Sequence, residues 1–399
     1  MAATTPALQH AQLGNHLFAL GERLGGDAHR RLVHARQTGC LELRFIRDVT
    51  VRSATTVAEA LELLPQLTEL HLHGDGLPAE AAEVLAKALA RSAETLRTLH
   101  LRLSSLSTDA ARVVANLLPL FSGLTSLKIV VNRIDLRGAV FLAYELWALW
   151  GLTTLHVRLF SVGTRLSEAL PDSLRFMKHM RFLNLSDTDL GPAGARALAE
   201  PLSMMPHLHS LVLVNNSLEA AGLQALAEPL RSTSALALLD VSKNGLSPDA
   251  GVAALAKVMR SLPGLATLRV AVNDLQTAGA HALAAELPSW TTLREIGLQG
   301  NLFGVAGAQA LAAPLLSLTN LQKLYIDDPV SRVDWAPMTG GYAVPPEALQ
   351  GGWIEAFAYV HARPARALAF AMGLHSRLGL QSDVQALHPD VARTLLEAV

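Results

Sequence analysis

The sequence predicts an α/β solenoid of stacked repeats, with helical caps at both ends. Large apolar residues recur every 28 or 29 residues, and further apolar residues follow three, five and ten positions after most of them. A fixed period of this length indicates a repeat protein, in which each unit buries its apolar face against its neighbours. The ten residues that open successive repeats are Leu67, Leu96, Leu124, Leu152, Met180, Leu208, Leu236, Leu265, Leu293 and Leu321.

Each repeat contains a strand segment followed by a helix segment. Leu211 and Leu213 are separated by one residue, the spacing of a strand that buries alternate side chains. Val252, Leu255 and Val258 then show the spacing of a helix with one apolar face. Because parallel strands need a crossover between them, the helix segment supplies the connection.

The pattern LxxLxLxxNxL, followed by a helix rich in Gly and Ala, resembles a leucine-rich repeat of the ribonuclease-inhibitor-like subclass. Residues 194–199 and 307–312 have this Gly- and Ala-rich composition, and the resemblance covers residues 40–329. Proteins of that kind include ribonuclease inhibitor, Ran GTPase-activating proteins and the sensor regions of NOD-like receptors. The resemblance implies a leucine-rich-repeat solenoid shaped as a horseshoe, with a parallel inner sheet and outer helices. It does not imply one function.

The Asn of the pattern forms a column through the repeats. The resemblance implies that this side chain bonds backbone groups at the turn that leaves the strand, a role that other short polar residues share. Phe160 and Pro329 cannot take that role, so we expect the repeats to end at Pro329 and to bend or carry a local insertion at Phe160, with a binding bulge as the alternative. The column reads Asp75, Ser104, Asn132, Phe160, Thr188, Asn216, Asn244, Asn273, Asn301 and Pro329.

The ends of the chain do not follow the period. Residues 1–39 are predicted to form an N-terminal helical cap, with a partner-docking helix as the alternative, and residues 40–329 the repeats. Residues 330–352 read as a loop and residues 353–399 as a C-terminal helical segment. Within the last segment, residues 387–396 faintly resemble the opening of an F-box, which favours a ubiquitin-ligase adaptor as one alternative function.

Composition indicates which classes of partner the protein does not bind and in which cellular compartment it is expected. A net charge of −1 and a pI near 7.0 argue against a general nucleic-acid or membrane-surface binder. The chain has one cysteine, no stretch typical of a signal peptide and no run of 18 apolar residues, so we expect a cytoplasmic protein without a membrane span.

The strand positions between the buried leucines predict the side chains of the concave face. In the N-terminal half they are basic or imidazole-bearing, and we expect them to bind the acidic surface of a protein partner, unless the face is simply solvated. Because histidine titrates near pH 6.5, binding is expected to strengthen on mild acidification. The far end of the face is mixed to acidic, with Asp240 and Glu295. The predicted partner-binding residues are His71, His73, Arg97, His100, Arg102, Lys128, His156 and Arg158.

The sequence contains no recognisable catalytic motif, and we predict neither an enzyme nor a cofactor. His71, His73 and His100 alone do not predict a metal site, because zinc sites of this kind need further thiolate or carboxylate ligands. Cys40 is expected to be buried in the first repeat.

The predicted function is therefore a non-enzymatic scaffold that binds a protein through its concave face. One alternative is an adaptor or regulator that uses the C-terminal helices. A second is a GTPase-activating protein of the Ran type, although no stretch carries the arginine loop of that family.

Overall fold

The computed structural model describes residues 27–45, 49–159 and 166–326. The described strands are β1 (Cys40–Arg44), β2 (Glu69–Leu77), β3 (Thr98–Leu106), β4 (Ser126–Ile134), β5 (Thr154–Leu159), β6 (Phe182–Asn184), β7 (Ser210–Val212), β8 (Leu238–Asp240), β9 (Thr267–Arg269), β10 (Glu295–Gly297) and β11 (Lys323–Tyr325).

Helices alternate with the strands. The described α-helices are α1 (Ala28–Thr38), α2 (Val51–Glu62), α3 (Ala79–Leu89), α4 (Thr108–Leu117), α5 (Leu136–Glu145), α6 (Leu166–Leu174), α7 (Gly191–Ala197), α8 (Ala199–Ser203), α9 (Glu219–Leu230), α10 (Pro248–Ser261), α11 (Gln276–Glu286) and α12 (Gly304–Ser317). Short 3₁₀ helices occupy Ala90–Ser92, Leu118–Leu120, Leu146–Ala148 and Leu287–Ser289. Among the described helices, none is long and apolar enough to cross a lipid bilayer.

The chain divides into two compact units, residues 1–211 and 212–399. In the first unit, β1 to β6 lie side by side in chain order and every pair is parallel. In the second unit, β8 to β11 follow the same rule. Strand β7 lies at the boundary between the units.

Alternating burial gives strand β5 of the first unit one covered face and one open face. Leu155, Val157 and Leu159 are buried, whereas His156 and Arg158 between them are partly exposed. The ten residues that open the repeats are all at most 3% exposed. The predicted α/β solenoid of parallel strands and packed helices is therefore confirmed within each unit.

Part of the predicted domain boundaries falls within the described residues. Helix α1 ends the predicted N-terminal cap and packs on β1, with Leu32 and Ala35 buried. Residues 1–26, the predicted loop 330–352 and the predicted helical segment 353–399 lie outside the described residues, as do Phe160 and Pro329. The predictions for those residues stay predictions.

The strands are long in three repeats of the first unit and short in the second unit. Strands β2, β3 and β4 each have nine residues, whereas β8 to β11 each have three. In the second unit, the residues on either side of Asn273, Val272 and Asp274, have φ of 57° and 56°. A left-handed conformation at both positions turns the backbone out of the strand. The equivalent Asn132 is an exposed residue within β4.

Buried asparagines stabilise the tight turns of the second unit. The Asn244 side-chain amide donates to the carbonyls of Leu213 and Val241 at 2.9 and 2.8 Å. Its Oδ1 accepts the backbone N–H groups of Asn216 and Leu218 at 3.1 and 3.2 Å. Each such side chain therefore satisfies buried backbone groups of its own repeat and of the preceding one, which would otherwise carry a desolvation cost. The same arrangement is repeated at Asn273 and Asn301.

Replacing Asn244 with alanine is expected to lower the free energy of unfolding by at least about 3 kcal/mol, because buried carbonyl and N–H groups lose their partners. Asn132→Ala is the matched control, since that side chain is exposed, and it should change stability by less than about 0.5 kcal/mol. Urea unfolding of both variants measures the difference. Equal losses would show that the buried asparagines do not stabilise the turns.

Candidate binding face on the first unit

Strand register brings seven of the eight predicted partner-binding residues onto the open face of the first unit. His71, His100, Lys128 and His156 are successive register partners across β2, β3, β4 and β5. His73 pairs in the same way with Arg102, and Arg158 lies two residues beyond His156. Neighbouring strands are about 4.8 Å apart, so these side chains are near neighbours. We call this set the basic face: His71, His73, His100, Arg102, Lys128, His156 and Arg158.

Arg97, the eighth predicted residue, lies apart from this face. It precedes β3, and its guanidinium donates to the carbonyls of Glu94 and Leu96 at 2.8 and 3.2 Å. Arg97 therefore contributes to the turn that enters the strand.

Two imidazoles of the basic face are neutral near pH 7. Burial, reinforced by the charge of Lys128, lowers the pKa of His100 and of His156 to about 4. Burial also lowers the pKa of His73. Both His100 and His156 are therefore uncharged between pH 6 and 8, so these two residues do not gain charge on mild acidification. The cause is the close packing of side chains in neighbouring strands. That binding strengthens on mild acidification stays a prediction.

Ion pairs reduce the positive charge of the basic face further. The Arg158 guanidinium lies 2.5 Å from the Asp187 carboxylate, which is almost buried. Arg102 and Lys128, by contrast, have no ion-pair partner within residues 27–45, 49–159 and 166–326, and both reach solvent. The basic face is thus a row of imidazoles with two accessible cations.

The second unit pairs most of its charged strand residues internally. Arg269 donates to Glu295 at 2.6 and 3.0 Å, and Lys323 lies 3.7 Å from the same carboxylate. Burial raises the pKa of Asp240, whose carboxylate accepts the N–H of Ser242 at 3.0 Å. The predicted mixed-to-acidic end therefore presents little unpaired charge at these positions.

A row of exposed aromatic residues in the first unit, on α5, the 3₁₀ helix after it and two nearby turns, was not predicted as a site. Trp147 and Trp150 are 53% and 58% exposed, and the Trp147 ring contacts Phe176 edge-on with a centroid distance of 6.4 Å. Two repeats later, the positions equivalent to Trp147 and Trp150 carry Ser203 and Pro206. This difference between equivalent positions is the sequence signal that could have identified the site. Exposed apolar patches of this kind mark interaction sites. We call this set the aromatic patch: Phe141, Tyr144, Trp147, Trp150 and Phe176.

A comparison with protein-family models matches residues 176–199 and 205–227 to the family described as Leucine Rich repeat. The first matched segment holds Thr188, which replaces the column Asn and donates to the carbonyl of Leu185 at 2.7 Å. Residues 176–227 of the chain are therefore similar to two consecutive leucine-rich repeats. A search of curated proteins found no match to the chain. Leucine-rich repeats generally mediate protein–protein interaction.

The free energy of unfolding is expected to decrease as the pH falls from about 6.5 to about 4. The folded protein keeps His156 neutral over that range while the unfolded chain binds the proton, so its stabilising effect is complete above the unfolded pKa and lost below it. The free energy of unfolding of His156→Gln should therefore decrease less over this range than that of the wild type. Urea unfolding at a series of pH values measures both.

His34→Gln is the control for this experiment, because it replaces an exposed imidazole on α1. Identical profiles for wild type and His156→Gln would contradict the buried, neutral state of His156.

Proposed function

We propose that the protein is a non-enzymatic scaffold that binds a protein partner through the basic face of its first unit. The observation that carries the proposal is the position of Arg102 and Lys128, two accessible cations without an ion-pair partner among the described residues. They lie on adjacent strands whose backbones are held by sheet hydrogen bonds. Little conformational entropy is lost when such a preformed surface binds, which favours its use for recognition.

The chemistry of the basic face fits a partner with an acidic surface. Carboxylates of the partner can pair with Arg102 and Lys128, and the neutral imidazoles of His100 and His156 can each donate or accept a hydrogen bond. Long-range attraction to the two cations would speed association and weaken as salt is added. The acidity of the partner is thus part of the proposal.

The ribonuclease-inhibitor-like subclass and a cytoplasmic location belong to the same proposal. The 28- or 29-residue period and the Gly- and Ala-rich helices support the subclass. A single cysteine in 399 residues suits a reducing compartment. The nearly neutral net charge favours a protein partner over nucleic acid or a membrane surface.

The aromatic patch is a second candidate contact surface for a protein partner. Tryptophan and tyrosine contribute strongly to protein interfaces because they bury a large area with few rotatable bonds. Trp147 and Phe176 come from successive repeats and contact each other, so they present a continuous apolar surface. An apolar segment of a partner is the chemistry that this surface would bind.

The two alternative functions have separate tests. An adaptor role depends on residues 353–399, which lie outside the described residues, and deleting them should abolish one interaction while leaving another. A GTPase-activating protein should accelerate GTP hydrolysis in a panel of small GTPases. Unchanged hydrolysis across the panel would exclude that activity for those GTPases.

Reversing the two accessible charges with Arg102→Glu and Lys128→Glu is expected to reduce capture of an acidic partner from source-cell lysate at least 10-fold, because attraction becomes repulsion. The matched control is Lys87→Glu with Arg137→Glu, which reverses two exposed cations on helices α3 and α5. Quantitative mass spectrometry of the captured proteins measures the effect. A partner retained by the first variant would contradict the basic face as its binding site.

Replacing Trp147 and Phe176 with serine tests the aromatic patch in the same lysate. Loss of the apolar contact should remove any partner that binds this surface, while both residues are too exposed for the change to unfold the chain. Val33→Ser is the control, because Val33 is an exposed apolar residue on α1. An unchanged set of captured proteins would show that the patch binds none of them.

A further inference from the structure

Three potential metal ligands of different chemistry meet at the edge of the first sheet. Cys40 opens β1 and is the register partner of Glu69 in β2. His71 follows Glu69 by two residues, so its side chain lies on the same open face. One ligand atom from each side chain, the Cys40 sulfur, a Glu69 carboxylate oxygen and a His71 ring nitrogen, lies within 4.8 Å of the other two.

We propose that Cys40 Sγ, the Glu69 carboxylate and His71 Nε2 bind one divalent cation of the Zn²⁺ class, with a fourth position open to water or to an external ligand. Thiolate, imidazole and carboxylate are the three ligand types that proteins use for zinc. A set of three protein ligands with one open position is typical of sites that exchange their fourth ligand. This site shares His71 with the basic face, but it goes beyond the function proposed above, since it needs no protein partner.

The distances require only a small rearrangement. Two ligand atoms bonded to one tetrahedral zinc lie roughly 3.5 Å apart, because each is about 2.0 to 2.3 Å from the metal. Atoms within 4.8 Å of one another therefore need to approach by about 1 Å. Cys40 and His71 are half-buried on the open face and outside the leucine core, so a shift of this size leaves the buried leucines in place.

His71 is poised as a ligand. Its Nε2 atom is buried and accepts or donates no hydrogen bond within the described part of the chain, and it lies 3.9 Å from a Glu69 carboxylate oxygen. A buried polar atom without a partner carries a cost that a metal bond would remove. The His71 ring also packs against the His100 ring at a centroid distance of 4.2 Å, which restricts its orientation.

Metal binding would replace the proton of the Cys40 thiol. Burial and a hydrogen bond with Glu69 raise the pKa of that thiol, so the sulfur is protonated in the metal-free protein near pH 7. On binding, the S–H bond breaks, the proton passes to solvent and the sulfur electron pair bonds the cation. The Glu69 carboxylate loses its hydrogen bond with the thiol and bonds the cation instead. No oxidation or reduction is involved.

The experiment is a titration of the purified full-length chain, previously treated with chelator, with Co²⁺. Cobalt bonded to a thiolate shows charge-transfer absorption in the near ultraviolet, whereas cobalt bonded to imidazoles and carboxylates alone does not. The sequence contains one cysteine, so such a band reports Cys40 specifically. We expect the band to saturate at one Co²⁺ per chain and to disappear when Zn²⁺ displaces the cobalt.

Single replacements identify the other two ligands. Cys40→Ser should abolish the band, and His71→Gln and Glu69→Gln should each weaken affinity at least about 10- to 100-fold, the range observed when even supporting groups of metal sites are removed. His34→Gln and Glu80→Gln, which change an exposed imidazole and an exposed carboxylate on α1 and α3, should leave affinity unchanged. Circular dichroism checks that each variant is folded.

Three results would overturn the proposal. The first is the absence of a thiolate band at saturating Co²⁺, whether or not calorimetry detects metal bound elsewhere among the 15 histidines. The second is a band that Cys40→Ser removes but that folded His71→Gln and Glu69→Gln leave unchanged, because other ligands would then hold the metal. The third is a loss of affinity in the control variants equal to that in the proposed ligands.

Discussion

The structure of each unit depends on the burial of leucines between a parallel sheet and its helices, repeat after repeat. No single repeat can cover its own apolar side, so each strand must lie in register with the next. Complete burial of all ten repeat-opening residues shows how strictly this constraint is met. Register then decides which polar side chains become neighbours on the open face, and the candidate sites follow from it.

Two kinds of turn leave the sheet, and they give the two units different open faces. Buried asparagines and left-handed residues end the strands of the second unit after three residues. In β2 to β4 of the first unit, where the column carries exposed Asp75, half-exposed Ser104 and exposed Asn132, the backbone stays extended for nine residues. Longer strands display more side chains in fixed positions, so the basic face lies where the asparagine ladder is missing.

Proximity changes the chemistry of the side chains that register brings together. Burial among neighbouring side chains, reinforced by the charge of Lys128, keeps His100 and His156 neutral, and Asp187 neutralises Arg158. A face that reads as strongly basic in the sequence therefore presents two accessible cations among aromatic rings. Strand pairing also places Cys40 beside Glu69 and His71, so the edge of the first sheet carries a thiol and a carboxylate next to an imidazole.

The sequence by itself determined the repeat period, the buried leucines, the alternation of strand and helix, and the columns that share the open face. These features follow from local periodicity, which each repeat carries in its own residues. Only the tertiary structure decided the rest. Cys40 is half-buried beside Glu69, contrary to the expected core position, because residues 29 positions apart meet only through strand pairing. Burial and neighbours from other repeats, which no single repeat encodes, likewise decide three further features. These are the neutral histidines, the Arg158–Asp187 pair and the exposure of Trp147.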